Sequence, residues 1–282
     1  MSRIDLHLHT THSDGSFSTH EVMTFAKQVG VTALAITDHD IVDGVPEAIA
    51  IGAELGIEAI PGVEISSRQG DSELHILGYF LNWTDPLLAT RLVSLRESRH
   101  TRNPKIVQRL NELGIPITYD EVRALAGTES VGRPHIARLL MEKKFVTSAK
   151  EAFDRYLANG RPAFVDRELP DPIEAVRWIR EAGGVPVLAH PTWVRTSAEG
   201  LRTLLRQLKE AGMGGIEVHY STHTPSQTTE YLDLAKQCDL LVTGGSDFHG
   251  ITKPDIEVGI GRGQLKVSEK LLEPLRKAAT AA

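Results

Sequence analysis

A chain of 282 residues with 41% hydrophobic residues can bury a substantial core, as one large α/β barrel or as two ordinary domains. Its net charge of −6 excludes a global basic field that would attract nucleic acid or a membrane, so an anionic substrate must be bound locally. The single cysteine, Cys238, excludes an internal disulfide, and no apolar run approaches the roughly 20 residues of a membrane helix. Because no basic, apolar signal pattern precedes His7, we expect a cytoplasmic protein.

The first motif reads IDLHLHTTHSDG and runs from Ile4 to Gly15. Apolar and polar residues alternate, and this period of two predicts a strand on which His7 and His9 share one face. Asp14 follows in a polar turn. Two imidazoles beside a carboxylate favour the beginning of a metal site. The alternative is a half-exposed edge strand with two solvated histidines.

The next segments alternate between helix and strand. Ser18 and Glu21 form a capping-box signature before a helical apolar spacing that ends at Gly30. We therefore predict a helix, a strand, a helix and a strand at 18–30, 31–40, 46–55 and 57–66. Repeated β-α units imply a mostly parallel sheet with its chemistry at the carboxyl ends of the strands. His39 and Glu64 lie at those ends, as the first motif does.

A strand over 73–81 carries His75 near its start, either as a metal ligand or as a cross-strand polar residue. Between about 84 and 164 helical signals dominate, which predicts an inserted, mainly helical subdomain. The basic residues of this segment are spaced so that they lie along one broad face of a helix. This favours a surface that binds phosphate, and a solvated helix face is the alternative. These bases are Arg91, Arg96, Arg99, Arg102, Lys105 and Arg109.

The tetrapeptide Gly132-Arg133-Pro134-His135 is a second candidate for anion binding. Pro134 suits the first turn of a helix, whose free backbone amides can hold an anion beside Arg133. The alternative is an ordinary junction between a turn and a helix.

Strand and helix alternation returns after the insertion, with helices at 172–182, 201–211, 227–237 and 268–279 and strands at 184–190, 215–220 and 240–250. The strand 215–220 ends in Glu217, His219 and Tyr220. The strand ends together supply six imidazoles and three carboxylates, more than one ion needs, so we predict a polynuclear centre. Mixed nitrogen and oxygen donors suit Mn²⁺, Zn²⁺ or Fe²⁺ better than Ca²⁺. The nine donors are His7, His9, Asp14, His39, Glu64, His75, His190, Asp247 and His249.

Six motifs follow one another along the chain: HLHTTHSDG at 7–15, TDHD at 37–40, PGVEIS at 61–66, LHILGYF at 74–80, LAHP at 188–191 and GSDFHG at 245–250. In this order they resemble those of the PHP family, the polymerase and histidinol phosphatase superfamily. The insertion carries RESRHTRNPKIVQRLNELG at 96–114 and VGRPHIARLL at 131–140. It resembles a bacterial branch whose members act as 3′,5′-nucleoside bisphosphate phosphatases or as RNase AM, which trims short RNA from the 5′ end.

The resemblance implies a distorted seven-stranded (β/α) barrel built from 1–84 and 165–282, with the helical insertion at 85–164 covering the active site. It also implies three divalent ions, with Mn²⁺ as the first choice and Zn²⁺ or Fe²⁺ as alternatives. The first ion would be held by His7, His9, Glu64 and Asp247, the second by Glu64, His75 and His190, and the third by Asp14, His39 and His249. Glu64 would bridge two ions.

The mechanism implied is hydrolysis by activated water, without a covalent protein nucleophile. Asp14 would then serve catalysis as well as metal binding. His219 or a water beside the metal ligands is the candidate proton donor to the leaving group, and for His219 a satisfied strand-end histidine is the alternative. His12 occupies a position in the first motif that the pattern does not use, which leaves a substrate contact open.

A second phosphate of the substrate would be bound by the insertion, through Arg99, Arg102, Lys105, Arg133 and His135. We therefore predict removal of the 3′-phosphate from adenosine 3′,5′-bisphosphate, leaving AMP and phosphate. A close alternative is a 5′-to-3′ exoribonuclease that acts on short 5′-phosphorylated RNA at the same site. Histidinol phosphate phosphatase and a non-catalytic, metal-stabilised module are weaker alternatives. We expect no membrane association and no stable protein partner.

Overall fold

The computed structural model of this protein describes residues 3–70, 72–128 and 130–280. Its strands form one seven-stranded sheet, in the order in which they occur along the chain. They are β1 (Arg3–Leu8), β2 (Val31–Ile36), β3 (Glu58–Gln69), β4 (Ser72–Tyr79), β5 (Val185–Leu188), β6 (Gly215–Tyr220) and β7 (Leu241–Gly245). The chain beyond β7 returns to β1, where the His9 amide donates to the Phe248 carbonyl at 3.0 Å and the Asp247 amide to the His7 carbonyl at 2.8 Å. The predicted seven-stranded barrel is confirmed, and it is nearly closed.

Strand β4 runs antiparallel to both of its neighbours, β3 and β5, whereas the other adjacent pairs are parallel. The expectation of a mostly parallel sheet is confirmed with this exception. Because β4 is reversed, its amino end lies beside the carboxyl half of β3, where His75 pairs with Ser66. His75 therefore reaches the same edge of the barrel as residues that follow the ends of the parallel strands.

The helices of the barrel follow its strands as predicted. Outside the insertion they are α1 (Thr19–Gln28), α2 (Val45–Leu55), α7 (Pro172–Glu181), α8 (Ala198–Glu210), α9 (Pro225–Gln237) and α10 (Leu272–Thr280). The predicted capping box at the start of α1 is present, since the Glu21 amide donates to Ser18 Oγ at 3.3 Å and the Ser18 amide to Glu21 Oε2 at 2.7 Å. Among the described helices, none is both long and apolar enough to cross a bilayer.

Strand β1 is buried on both of its faces. Ile4 and Leu6 are fully inaccessible to solvent, and so are Asp5 and His7 on the alternate positions. His9, just beyond the strand, is also fully buried. The alternative of an exposed edge strand with solvated histidines is therefore wrong, because closure of the barrel covers β1 on both sides.

The insertion consists of helices with a hydrophobic cluster of their own. These helices are α3 (Pro86–Glu112), α4 (Tyr119–Ala126), α5 (Arg133–Glu142) and α6 (Ala149–Ala152), and a π-helical turn follows at Phe153–Leu157. The first half of α3 packs on the barrel through Leu88 and Leu95, and the second half joins the cluster of the insertion through Ile106 and Leu110. Helix α3 therefore belongs to both bodies, and the boundaries 85 and 164 stay a prediction.

Candidate metal centre

The nine predicted donor side chains converge at one end of the barrel. Three overlapping groups have donor atoms within 4.8 Å of one another: His9, Asp14, His39 and His249; His7, His9 and Glu64; and His39, Glu64 and His75. The other two donors, His190 and Asp247, lie against Glu64 and His9. Side chains of His39 and His75 keep 12% and 13% of their surface exposed, and the remaining seven are buried. The centre therefore opens to solvent beside His39 and His75.

Four of these side chains form one compact set around the end of β1. The Nε2 atoms of His7 and His9 lie 3.2 and 3.1 Å from Glu64 Oε2. The same two nitrogens lie 3.5 and 3.4 Å from Asp247 Oδ1. Two nitrogens and two carboxylate oxygens thus face one another in the combination proposed for the first ion.

The other oxygen of Glu64 faces a second set. Glu64 Oε1 lies 2.9 Å from His75 Nδ1 and 3.0 Å from His190 Nε2. One carboxylate thus contributes a different oxygen to each set, which is the arrangement that a bridging ligand requires. His75 lies in this set because β4 runs in the reversed direction.

Asp14 is the centre of a third set. Its Oδ1 lies 3.3 Å from His249 Nε2, and its Oδ2 lies 3.7 Å from His39 Nε2. His9 Nδ1 is 3.7 Å from Asp14 Oδ1, so His9 stands between this set and the one around Glu64. The third set is thus looser than the other two.

The unpaired atoms of the cluster indicate that it suits cations. Within the described residues, the buried atoms His9 Nε2 and His39 Nδ1 have no hydrogen-bond partner, although carboxylate oxygens lie close to both. A buried polar atom without a partner is costly, and a cation shared with the nearby oxygen removes that cost. Imidazole nitrogens and carboxylate oxygens are donors that divalent transition metals bind. The donor set therefore fits the divalent metals expected from the sequence.

The protonation states of the cluster differ between its members. Burial tends to raise the pKa of the Glu64 carboxyl, but the histidines around it hold that pKa well below its usual range. Burial lowers the pKa of His39 to about 3, so its imidazole is neutral near pH 7. Burial tends to lower the pKa of His9 and His75, but the neighbouring carboxylates raise both to about 9. Ionised carboxylates and neutral imidazoles are the forms that coordinate a metal, so metal binding would displace the protons of these two histidines.

Glu217 supports two of the histidines from outside the cluster. Its Oε1 lies 2.9 Å from His7 Nδ1, and its Oε2 accepts a hydrogen bond from the His190 amide at 2.8 Å. His190 adopts a φ of 24°, which is rare for a residue with a side chain, and this hydrogen bond holds it there. The sequence placed Glu217 at a strand end without a role; its position beside the histidines is visible only in the fold.

We expect Glu217→Gln to lower the affinity for divalent metal by about 10- to 100-fold, as is usual when a carboxylate behind a ligating histidine is lost. The glutamine keeps the shape but removes the charge that orients His7 and favours its proton on Nδ1. Metal titration with a fluorescent competitor measures the effect, with the exposed Glu210→Gln as the matched control. Unchanged affinity would contradict this role.

Beside the metal centre, one arginine of the insertion and one that follows it in the chain surround Asp40. Arg99 Nη2 donates to Asp40 Oδ2 at 2.6 Å and to Ser66 Oγ at 3.1 Å. Arg167 Nη2 lies 3.5 Å from the same Asp40 oxygen. Burial tends to raise the pKa of Asp40, but the two guanidinium groups lower it to about 2. Neither Asp40 nor Arg167 has a role predicted from the sequence, although Asp40 lies within the TDHD motif.

Arg102 is buried without a carboxylate partner among the described residues. Its Nε and Nη2 donate to the neighbouring Asn103 Oδ1 at 3.1 and 3.0 Å. Burial, and then the charges of Arg133, Arg167 and Arg99, lower its pKa well below the usual range. Arg133 itself pairs with Glu73 at 2.7 Å, and Glu73 lies 3.9 Å from the donor His75. Arg99, Arg102, Arg133 and Arg167 thus form an arginine cluster, and Glu73 lies between this cluster and the metal centre.

The predicted basic face of α3 is wrong in part. Arg99 and Arg102 are buried, whereas Lys105 and Arg109 are exposed, and Arg109 donates to the Phe164 carbonyl. A step of three residues turns a helix by about 300°, so bases repeated at this spacing drift around the axis. A substrate contact by Lys105 remains a prediction, and nothing in its placement supports it.

His135 and His219 are placed differently. His135 Nδ1 accepts the Gly132 amide at the start of α5, which leaves Nε2 to carry the proton, and burial lowers its pKa to about 4. Burial and then the charge of His223 lower the pKa of the half-buried His219. Its neighbour Tyr220, rather than His219, donates to Asp247 Oδ2 at 2.7 Å. The role of His219 as proton donor stays a prediction.

Comparison with known proteins identifies the family. The model of the PHP domain matches residues 5–163, more than half of the chain. The chain belongs to the PHP family. The family that the motifs indicated is thereby confirmed.

Relatives of this PHP protein carry both predicted activities in their names. A 5′-3′ exoribonuclease of Haemophilus influenzae is 38% identical over 247 residues, covering 88% of this chain and 90% of the relative. A 3′,5′-nucleoside bisphosphate phosphatase of Chromobacterium violaceum is 34% identical over 260 residues, covering 92% and 91%. These relatives confirm the predicted enzyme class, a phosphoric ester hydrolase.

Solved structures agree with the fold of this PHP protein. An amidohydrolase from Chromobacterium violaceum, with bound sulfate and no metal, superposes with a TM-score of 0.87 at 34% identity, covering 92% of this chain and 90% of that one. A candidate metal-dependent phosphoesterase from Bifidobacterium adolescentis gives a TM-score of 0.86 at 28% identity, covering 98% and 96%. The fold extends over the insertion as well as the barrel.

Proposed function

We propose that this protein removes the 3′-phosphate from nucleoside 3′,5′-bisphosphates, with AMP as the product from the adenosine compound. The observation that carries the proposal is the adjacency of two sites for anionic groups. The nine predicted donor side chains form one site, and the arginine cluster of Arg99, Arg102, Arg133 and Arg167 forms the other, with Glu73 between them. A molecule with two phosphates fits this pair better than one with a single phosphate.

The metal site would take the phosphate that is cleaved. We propose three ions, Mn²⁺ first, held by the three sets around β1, Glu64 and Asp14. When bound, such ions activate water and neutralise charge on the phosphoryl oxygens. The protein fixes its donors from the barrel, with Glu64 shared by two sets and Glu217 behind His7 and His190. Asp14 would act in catalysis by holding the third ion.

The arginine cluster would take the second phosphate. Among the described residues, two carboxylates, Asp40 and Glu73, lie within 4.0 Å of one or more of the four guanidinium groups, so positive charge is in excess in a largely buried region. A buried charge that lacks a counterion is unfavourable, and a phosphate dianion supplies the missing charge. Arginine forms bidentate hydrogen bonds with phosphate, which positions the substrate as well as attracting it. Arg102, whose acceptor among the described residues is the Asn103 side-chain amide, is the member most available for this contact.

A 5′-3′ exoribonuclease activity on short RNA is the second candidate. A 5′-terminal nucleotide anchored by its phosphate presents its 3′-linked phosphorus to the metals in either substrate. The relative from Haemophilus influenzae that carries this name supports it. A cytoplasmic location and the lack of a stable protein partner remain expectations from the sequence.

The test compares adenosine 3′,5′-bisphosphate, a 5′-phosphorylated short RNA and histidinol phosphate as substrates of the Mn²⁺-loaded protein. We expect turnover of the two anchored substrates and little of histidinol phosphate, with loss of activity in EDTA and recovery on adding Mn²⁺. Release of phosphate from histidinol phosphate alone would contradict the proposal.

Arg102→Gln tests the anchoring site directly. We expect kcat/KM for the anchored substrates to fall by about 10- to 100-fold, the value of one or two hydrogen bonds to a charged group. The free protein should at the same time gain stability, because a buried cation without a counterion is removed. Arg123→Gln in α4, whose side chain is 62% exposed, is the matched control. Loss of stability together with equal loss on all esters would indicate a merely structural role.

A further inference from the structure

The indole of Trp193 lies at the rim of the metal centre. Trp193 ends the short turn Pro191–Trp193, which directly follows the donor His190. Its ring centroid is 4.0 Å from that of His190, and the two planes are inclined by 33°. Tyr220 meets the indole edge-on at 6.4 Å. These contacts hold the ring in place, yet 49% of Trp193 is exposed to solvent.

A cation stands beside this aromatic ring. Lys253 Nζ lies 5.7 Å from the Trp193 ring centroid and donates to Asp247 Oδ2 at 2.5 Å. Ile251, two residues earlier, is 63% exposed. Single exposed apolar residues are common on protein surfaces, so exposure alone indicates little. Here Trp193, Ile251 and Lys253 each follow a predicted metal donor within a few residues. An exposed aromatic ring beside a cation can bind single-stranded nucleic acid, because bases stack on the ring and the cation attracts phosphate.

The Trp193 indole lies nearest to the His190 ring, at 4.0 Å between centroids, and farther from the His75 ring, at 6.4 Å. The arginines form ion pairs with Asp40, which follows the donor His39, and with Glu73, which lies 3.9 Å from the donor His75. Trp193 packs on the donor His190, and Lys253 donates a hydrogen bond to the donor Asp247. A substrate with its 5′-phosphate among the arginines and its next phosphate at the metals would direct its second nucleotide toward Trp193.

We propose that Trp193 is the stacking platform for the nucleobase on the 3′ side of the cleaved phosphate. The inference rests on the proposed function and deepens it, because it separates the two substrates. A nucleoside 3′,5′-bisphosphate ends at the phosphate bound to the metals and leaves Trp193 uncovered. RNA continues with a second nucleotide, whose base covers the indole. The ring therefore favours a phosphodiester with a second base over a terminal phosphate.

Kinetics on matched substrates test the platform. We compare kcat/KM for adenosine 3′,5′-bisphosphate, a 5′-phosphorylated diadenosine dinucleotide, and the same dinucleotide lacking its second base. In Trp193→Ala the ratio of dinucleotide to bisphosphate should fall about tenfold, which lies within the usual strength of stacking on one base. Trp193→Phe should restore most of the ratio, because phenylalanine also stacks. Leu232→Ala on α9, at a site 41% exposed, is the control away from the centre.

The abasic dinucleotide separates stacking from damage to the metal site. The wild-type protein should lose about tenfold on this substrate, mainly in KM, and Trp193→Ala should lose nothing further. Metal content of each variant is measured, since Trp193 touches His190. Equal loss on all three substrates, or full activity on the abasic dinucleotide, would overturn the platform while leaving the proposed function intact. A metal-loaded wild-type protein that cleaves none of the three would overturn the proposed function, and the platform with it.

Discussion

Glu64→Gln should lower the turnover of phosphate esters by about 10³-fold or more, with loss of bound metal. Metal ions in such sites supply several kcal/mol of stabilisation to the transition state, and that amount corresponds to this factor in rate. Glu64 is the donor whose loss affects two sets at once, because Oε2 faces His7 and His9 while Oε1 faces His75 and His190. The glutamine has nearly the same shape but cannot bridge two cations through two charged oxygens.

The measurement joins steady-state kinetics with metal analysis of the same preparation. Glu54→Gln, on the exposed side of α2, is the matched control and should leave both quantities unchanged. Circular dichroism tests whether the barrel persists in Glu64→Gln. A variant that kept its full metal content and a tenth of its activity would show that Glu64 does not bridge the ions.

Asp40→Asn should reduce the free energy of unfolding of the metal-free protein by about 3–5 kcal/mol, the usual cost of removing one partner of a buried ion pair. Asp40 is fully buried and faces two guanidinium groups, those of Arg99 and Arg167. Its loss leaves both arginines beside Arg102, for which no described carboxylate forms an ion pair. Urea unfolding measures the change. Asp43→Asn, exposed on the same loop, is the control, and a loss below about 1 kcal/mol in Asp40→Asn would contradict this account.

The pH dependence of this effect has a definite sign. The pKa of Asp40 is lowered to about 2 in the folded protein, from an ordinary value of 3.8. A carboxylate with a lowered pKa contributes stability that is fully present above its unfolded pKa and is lost as pH falls through the folded value. The difference between wild type and Asp40→Asn should therefore be constant above about pH 5 and shrink as pH falls from about 4 toward 2. A difference that grew on acidification would have the wrong sign.

The sequence predicted the barrel through its resemblance to the PHP family, and it predicted nine donor side chains that the fold brings together. Strands with a period of two end in His, Asp or Glu, and carboxyl ends of parallel strands meet at one edge, so local patterns imply a shared site. These patterns were sufficient for His7, His9, Glu64 and Asp247, which lie on or directly after the strands that place them. They gave no physical basis for His75, near the start of a strand, until the reversed direction of β4 was known.

The tertiary structure alone decided which of the predicted bases join Arg167 in the arginine cluster, and it alone placed Trp193 at the rim of the metal centre. Periodicity places a side chain on one side of a helix but does not show what packs there, so Arg99 and Lys105 looked alike while one is buried and the other exposed. The counterions Asp40 and Glu73, and the added cation of Arg167, come from segments distant in sequence. Excess charge in a buried region depends on every group brought within a few ångströms. The net charge of this buried region is therefore defined only in the folded chain.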